Sequence, residues 1–219
     1  NGNQTALMFV YYLITRWKEL GKINGKEYIV KTIVTTETIK TIAERNGVEM
    51  YDVYTGFKWI ANVMRENEGK KNYIGGGEES YGFLCEDFVR DKDAVSACVI
   101  LAEIAAWAKD QGLSLYQLLQ KIYVEYGFSK EKGISVVKKG KSGAEEIEAM
   151  MKKFRENPLT EIAGSKVTYF YDYSTLKGKD YAENETVTLD MPTTSNVLQY
   201  FTEDNTKVSI RPSGTEPKI

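Results

Sequence analysis

The 219-residue sequence, 42% hydrophobic and 27% charged, has the make-up of a globular protein able to bury a core, as one large domain or two of ordinary size. Its 29 basic and 31 acidic residues leave a formal net charge of −2. That sets up no long-range field for nucleic acid or an anionic membrane, so any anion site must be local. With no histidine at all, Ser-His-Asp triads, Cys-His dyads and histidine metal sites are excluded together.

No apolar run reaches the length of a membrane span, and no basic-then-apolar leader opens the chain. Residues 5–20 place Leu7, Met8, Val10, Tyr11, Leu13, Ile14 and Trp17 at helical spacing, and Gly21 stops the run. A helix with no strand before it is an unusual start for an α/β domain and suggests a chain cut at a domain junction. Residues 27–35 read as a β-branched strand and 36–46 as a helix closed by Gly47. A second strand is expected over 48–54, after which Thr55-Gly56 opens a helix over 57–67. Asn72–Ile74 reads as a short third strand, followed by the loop Gly75-Gly76-Gly77-Glu78-Glu79-Ser80-Tyr81-Gly82. The apolar stretch 93–110 predicts a buried helix ending near Gly112, and Ser114 caps another through Tyr126. Cys85 and Cys98 lack metal-ligand spacing and read as reduced, mostly buried thiols of a cytosolic protein; nothing supports a disulfide between them.

Strands alternating with helices predict, over residues 1–127, a layered α/β domain with a mainly parallel sheet. The polar, glycine-bearing stretch 127–133 marks the boundary. Residues 128–219 then show a strand at 134–138, a helix at 143–157 stopped before Pro158, and short alternating strands at 166–173, 186–189, 197–201 and 207–210. This predicts a smaller α+β domain with an antiparallel sheet. Asp204-Asn205 is its hairpin turn. Tyr169, Tyr171 and Tyr173 alternate along one strand and so share a face, where packing is the expected role.

Two polar loops carry the chemistry. Glu78, Glu79 and Ser80 gather acceptors and a donor suited to the vicinal hydroxyls of a sugar, although the eight-residue loop 75–82 that holds them also fits a solvated glycine turn. Arg211-Pro212-Ser213-Gly214-Thr215-Glu216-Pro217-Lys218 combines an arginine, two hydroxyls and a glycine-freed backbone, a cradle for phosphate. In layered α/β sheets ligand groups collect at the carboxyl ends of strands, where both 55–58 and 75–80 fall. Lys58 sits at a helix start that favours an anion, and is by default an exposed lysine. Arg90-Asp91-Lys92-Asp93 is by default a solvated run that caps the next helix, or else a second pair of cations for a phosphate.

These segments together resemble the α-D-phosphohexomutases, the phosphoglucomutase and phosphomannomutase group. The resemblance is carried by TGFKWI (55–60), GGEESYGF (76–83) with RDKDAV (90–95), and RPSGTEPK (211–218), in that order, and it runs over essentially the whole chain. It implies reversible transfer of phosphate between the 1- and 6-positions of a hexose through a hexose 1,6-bisphosphate. It further implies that Glu78 and Ser80 hold sugar hydroxyls. Arg211, Ser213, Gly214 and Thr215 would hold the non-reacting phosphate, with Lys58, Arg90 and Lys92 as further cations of the cleft. Nothing in the sequence resembles the family's phosphoserine loop or its Asp-x-Asp-x-Asp magnesium loop. By resemblance, then, the chain is a third domain plus a fourth truncated at Ile219, with no catalytic residue and no metal ligand of its own. NGNQTALMF resembles the segment after the metal loop. Mg2+ and glucose 1,6-bisphosphate would serve the full-length enzyme, whose N-terminal catalytic domains would be partners of this chain alongside the hexose phosphate. A stand-alone sugar-phosphate-binding module, a phosphopentomutase and a bisphosphate synthase remain open as alternatives.

Overall fold

Strand β1 (Glu27–Thr32) is buried at all six positions, as a β-branched strand flanked on both edges and covered on both faces must be. The computed structural model, which describes residues 1–138, 140–213 and 218–219, sets it in a four-stranded sheet of order β2-β1-β3-β4. β2 (Glu49–Val53) and β3 (Asn72–Gly77) pair with β1 in parallel, while β4 (Phe83–Cys85) turns back antiparallel on β3. Successive side chains point to opposite faces, and the core divides accordingly. Ile29 and Ile74 pack with α1 (Gly2–Glu19), α2 (Thr38–Arg45), α4 (Ala94–Asp110) and α5 (Leu115–Tyr126). Tyr28, Val30 and Tyr73 pack on the other face against Phe57, Ile60 and Met64 of α3 (Phe57–Asn67). These elements form a unit spanning Asn1–Glu131.

Three expectations for this unit change. The glycines are strand rather than loop: β3 runs on through Gly77, and none of Gly75, Gly76 and Gly77 has a positive φ. What they supply is room. A Cβ on Gly76 would stand 2.3 Å from the Val30 carbonyl oxygen, and one on Gly77 2.5 Å from that of Gly82. β1 ends at Thr32 because a turn follows, closed by the Thr35 N–H on the Thr32 carbonyl. Helix α4, expected to be buried, has only Ile104 and Ala108 buried, and Val95 and Val99 are 74% and 60% exposed. It is apolar over most of its length, but only the face of Ile104 and Ala108 meets this unit's core. Cys98 on it is accordingly exposed, so of the two free thiols only Cys85 is buried.

The second unit spans Lys132–Ile219. Its antiparallel sheet has the order β10-β9-β6-β7-β8, formed by β6 (Ser165–Asp172), β7 (Lys177–Asp180), β8 (Glu185–Thr188), β9 (Leu198–Thr202) and β10 (Lys207–Ile210), with β5 (Glu161–Ile162) added on β6. Helix α6 (Gly140–Glu156) lays Met151 and Phe154 on Val167, Phe170, Leu198 and Tyr200. On β6, Tyr171 makes ring contacts with both Tyr169 and Tyr173, as their alternation predicts. The strand expected over 134–138 is reduced to a single bridge between Val137 and Lys218. The polar strand β7 was not expected. Its Gly178 lies opposite Tyr171, and a Cβ there would fall 2.5 Å from the Tyr171 ring. Among the described residues no helix is long and apolar enough to cross a membrane.

Candidate functional site

The carboxyl ends of β1, β2 and β3 come together at a small set of polar side chains. Glu78 follows β3 directly and opens a tight hairpin, in which its N–H donates to the Gly82 carbonyl at 2.8 Å and Tyr81 takes up a φ of 73°. The Glu78 side chain is buried, and its Oε1 accepts the Gly56 N–H at 2.8 Å. Gly56 is the N-cap residue of α3 and has no side chain to cap with. The carboxylate of Glu78 therefore occupies the helix N-terminus, where an anion is favoured. Ser80 and Tyr81 at the hairpin tip are exposed.

Glu79 points the other way. Its Oε2 accepts from Thr32 Oγ1 at 3.0 Å and from Thr35 Oγ1 at 3.5 Å, while the two threonine hydroxyls bond each other at 2.8 Å. Glu78 is thereby tied to the start of α3, and Glu79 to the end of β1. Two adjacent carboxylates that look alike in sequence are thus separated by their partners.

Of the three further cations named from sequence, Lys92 is the one brought to the hairpin. Its stem lies beside Gly82, where an added Cβ would be 3.0 Å from Lys92 Cδ and 2.9 Å from Glu78 Oε2. Its Nζ stands 5.9 Å from the centre of the Phe57 ring and 3.3 Å from Asp91 Oδ1. Arg90 is engaged elsewhere, with Glu68 at 3.1 Å and the Asp87 carbonyl at 2.7 Å. Lys58 lies over the Trp59 ring, 5.0 Å from its centre. Asp93 caps α4 by accepting the Ser96 N–H at 2.7 Å, and bonds from Ser96 hold its carboxylate below the ordinary value.

Sequence reasoning passed over Lys31. It is 1% exposed at the carboxyl end of β1, in register with Asp52 on β2 and Gly77 on β3. Its Nζ reaches Asp52 Oδ1 at 2.6 Å and Glu37 Oε1 at 3.1 Å. A buried ammonium needs such partners. The one hint in the sequence is a lysine inside an otherwise β-branched and apolar strand.

In the second unit, Arg211 follows β10 and is exposed. The Ser213 N–H donates to the Lys218 carbonyl at 2.8 Å, and Lys218 in turn bridges Val137, so the base of this loop is pinned at both ends. Beside it lies a cavity of about 220 Å3 bordered by Ile147, Met151, Asn196, Pro212, Ser213 and Lys218. Gly214 and Thr215, the other two phosphate-binding residues named from sequence, lie outside the described residues.

Comparison with known proteins gives concordant results. Residues 1–126 match the domain described as phosphoglucomutase/phosphomannomutase, alpha/beta/alpha domain III. The whole chain is 37% identical to a phosphoglucomutase of Staphylococcus aureus and 34% identical to one of Staphylococcus haemolyticus, and it spans 39% of the length of each. In fold it resembles parafusin, an exocytosis-sensitive phosphoprotein and phosphoglucomutase from Paramecium solved in an open form. That match has a TM-score of 0.62 at 18% identity, and covers 98% of this chain and 34% of the other.

Proposed function

The chain belongs to the phosphoglucomutase/phosphomannomutase family, and from that premise we propose that it is the sugar-phosphate-binding part of an enzyme that interconverts hexose 1-phosphate and hexose 6-phosphate through a hexose 1,6-bisphosphate. In this reading residues 1–127 are the third domain of the parent enzyme and 128–219 belong to the fourth. Glu78 and Ser80 take the sugar hydroxyls, while Arg211, Ser213, Gly214 and Thr215 take the phosphate that does not react. Lys92 is the leading candidate for an additional cation, because its stem already lies along the hairpin. The chain by itself is expected to turn nothing over, since phosphoryl transfer needs a nucleophile and a charge-neutralising centre that these motifs do not supply. Among the described residues no group of three or more His, Cys, Asp or Glu side chains is placed to hold a metal ion. Mg2+ and glucose 1,6-bisphosphate are what the family implies for the whole enzyme.

The observation that carries the reading is the position of Glu78. Its carboxylate is held at the α3 N-terminus by the Gly56 N–H, next to an exposed serine and a lysine stem, at the carboxyl edge of a parallel sheet. A carboxylate has further lone pairs beyond the one used by Gly56, and these can accept a pair of sugar hydroxyls. In the full-length protein, Glu78→Gln is expected to raise KM for glucose 1-phosphate by tenfold or more, in line with the roughly 1.5–3 kcal/mol of a hydrogen bond to a charged group. It should also blunt discrimination between glucose 1-phosphate and mannose 1-phosphate, because one acceptor becomes a donor. Unchanged KM and an unchanged ratio for the two sugars would remove Glu78 from the site.

A further inference from the structure

We propose that the first turn of α1 positions the glycine hairpin, with Gly2 as the positioning residue; the inference rests on the reading of Glu78 and Ser80 as sugar-binding. A Cβ built on Gly2 would lie 1.9 Å from the Glu79 carbonyl oxygen, 2.7 Å from its carbonyl carbon and 3.0 Å from the Tyr81 nitrogen. All three are backbone atoms, so no side chain can swing away to relieve the overlap. Gly2 is buried, lies within a helix and has no positive φ, so neither flexibility nor a left-handed conformation accounts for glycine at this position. Helix propensity alone would favour alanine. The close approach is what needs the missing methyl.

The neighbouring residues act on the same loops. Asn1 caps α1 through the Gln4 N–H, which fixes the helix start. Asn3 Oδ1 accepts the Thr36 N–H at 2.9 Å, tying that helix start to the turn after β1. The same turn holds Thr35, which with Thr32 bonds the Glu79 carboxylate. The peptide of Glu79 therefore rests on Gly2 while its side chain is anchored to β1. The hairpin has little slack, being closed by the Glu78 N–H on Gly82 and by the Gly77–Phe83 pairing. Glu78 and Ser80 flank Glu79 directly. A shift of the Glu79 carbonyl moves both and draws Glu78 off the Gly56 N–H. Gly2 itself touches no substrate in this scheme. It sets where the two sugar-binding side chains stand.

The test uses the full-length protein. Gly2→Ala is expected to raise KM for glucose 1-phosphate on the order of tenfold, with a smaller fall in kcat and a thermal midpoint within a few degrees of the parent, because misplaced binding groups lose affinity without loss of fold. Gly133→Ala serves as the control and should leave KM unchanged, since no atom lies within 4 Å of that Cβ and the φ is not positive. A folded Gly2→Ala protein with unchanged KM overturns the proposal. Should Gly2→Ala fail to fold, Asn3→Ala removes the Thr36 anchor without adding an atom. It is expected to raise KM severalfold, and an unchanged value overturns the proposal equally. Glu78→Gln run in parallel separates the two readings. If it raises KM and Gly2→Ala does not, only the positioning role is lost. If it leaves KM unmoved, the sugar-binding reading fails and the proposal with it.

Discussion

Lys31 persists in the interior because Asp52 and Glu37 meet its ammonium; without them, burial in the sheet would strongly disfavour the charge. Such partners come from β2 and from the turn before α2, so neither is visible from the local sequence around the lysine. Glu78 and Glu79 make the same point, since their separate roles follow from Gly56 and from the two threonines. The thiols make it as well, and they yield a prediction. Burial, reinforced by the nearby charge of Glu86, pushes the Cys85 thiol up, which lowers its thiolate fraction as well as its access. Cys98 is exposed on α4. With an aromatic disulfide reagent at pH 8 one thiol should react rapidly, and the second only after denaturant is added. Two equivalents released at similar rates would contradict the burial of Cys85. Cys98 reads as buried from sequence because the apolar run 93–110 that holds it carries no sign of which face has a neighbour.

The start of β1 depends on one carboxylate. Glu27 is buried, and its Oε2 accepts the N–H groups of Asn24 at 2.7 Å, Gly25 at 2.9 Å and Lys26 at 3.1 Å, while Oε1 accepts from the Asn72 amide at 3.1 Å. Burial alone would raise its pKa, but the bonds from Asn24, Asn72 and Gly25 outweigh burial and lower it below the ordinary 4.5. A carboxyl depressed on folding adds stability at pH values above its unfolded pKa, and that stability is lost as the pH falls through the folded value. Glu27→Gln is therefore expected to cost about 1–3 kcal/mol at pH 7, and the gap between variant and parent should narrow as the pH drops below 4.5. Urea midpoints measured across that range check it, and a gap independent of pH would rule the charge out as the cause. Elements with strong periodicity were legible in the sequence: α3 and β10 fall where they are expected. β4, β5 and β7 were not, being two to four residues long and defined by their partners. β7 is the clearest case, because Lys-Gly-Lys-Asp has no strand character until Tyr171 needs room over Gly178.

Each unit has its own core, one made of a sheet covered by helices on both faces and the other of a sheet backed by α6. Residues 128–136, where the units join, have no regular secondary structure, and Lys130 and Lys132 are exposed. Limited digestion with trypsin should cut there first, giving two fragments whose ends mass spectrometry places after Lys130 or Lys132. Early cuts within α1–α5 would contradict this. From the sequence alone come the order of a layered α/β unit before an α+β unit, the exclusion of histidine chemistry, and the family, which three ordered polar motifs carry. Those features are written in composition, periodicity and short contiguous strings. Only the tertiary structure decided that the glycines of β3 are there for space rather than for conformational freedom, that Lys31 is buried, that α4 keeps one face open, and that Gly2 lies against the Glu79 carbonyl 77 residues further along. Contacts between residues so distant in sequence are set by how helices and strands pack, and no local pattern records them.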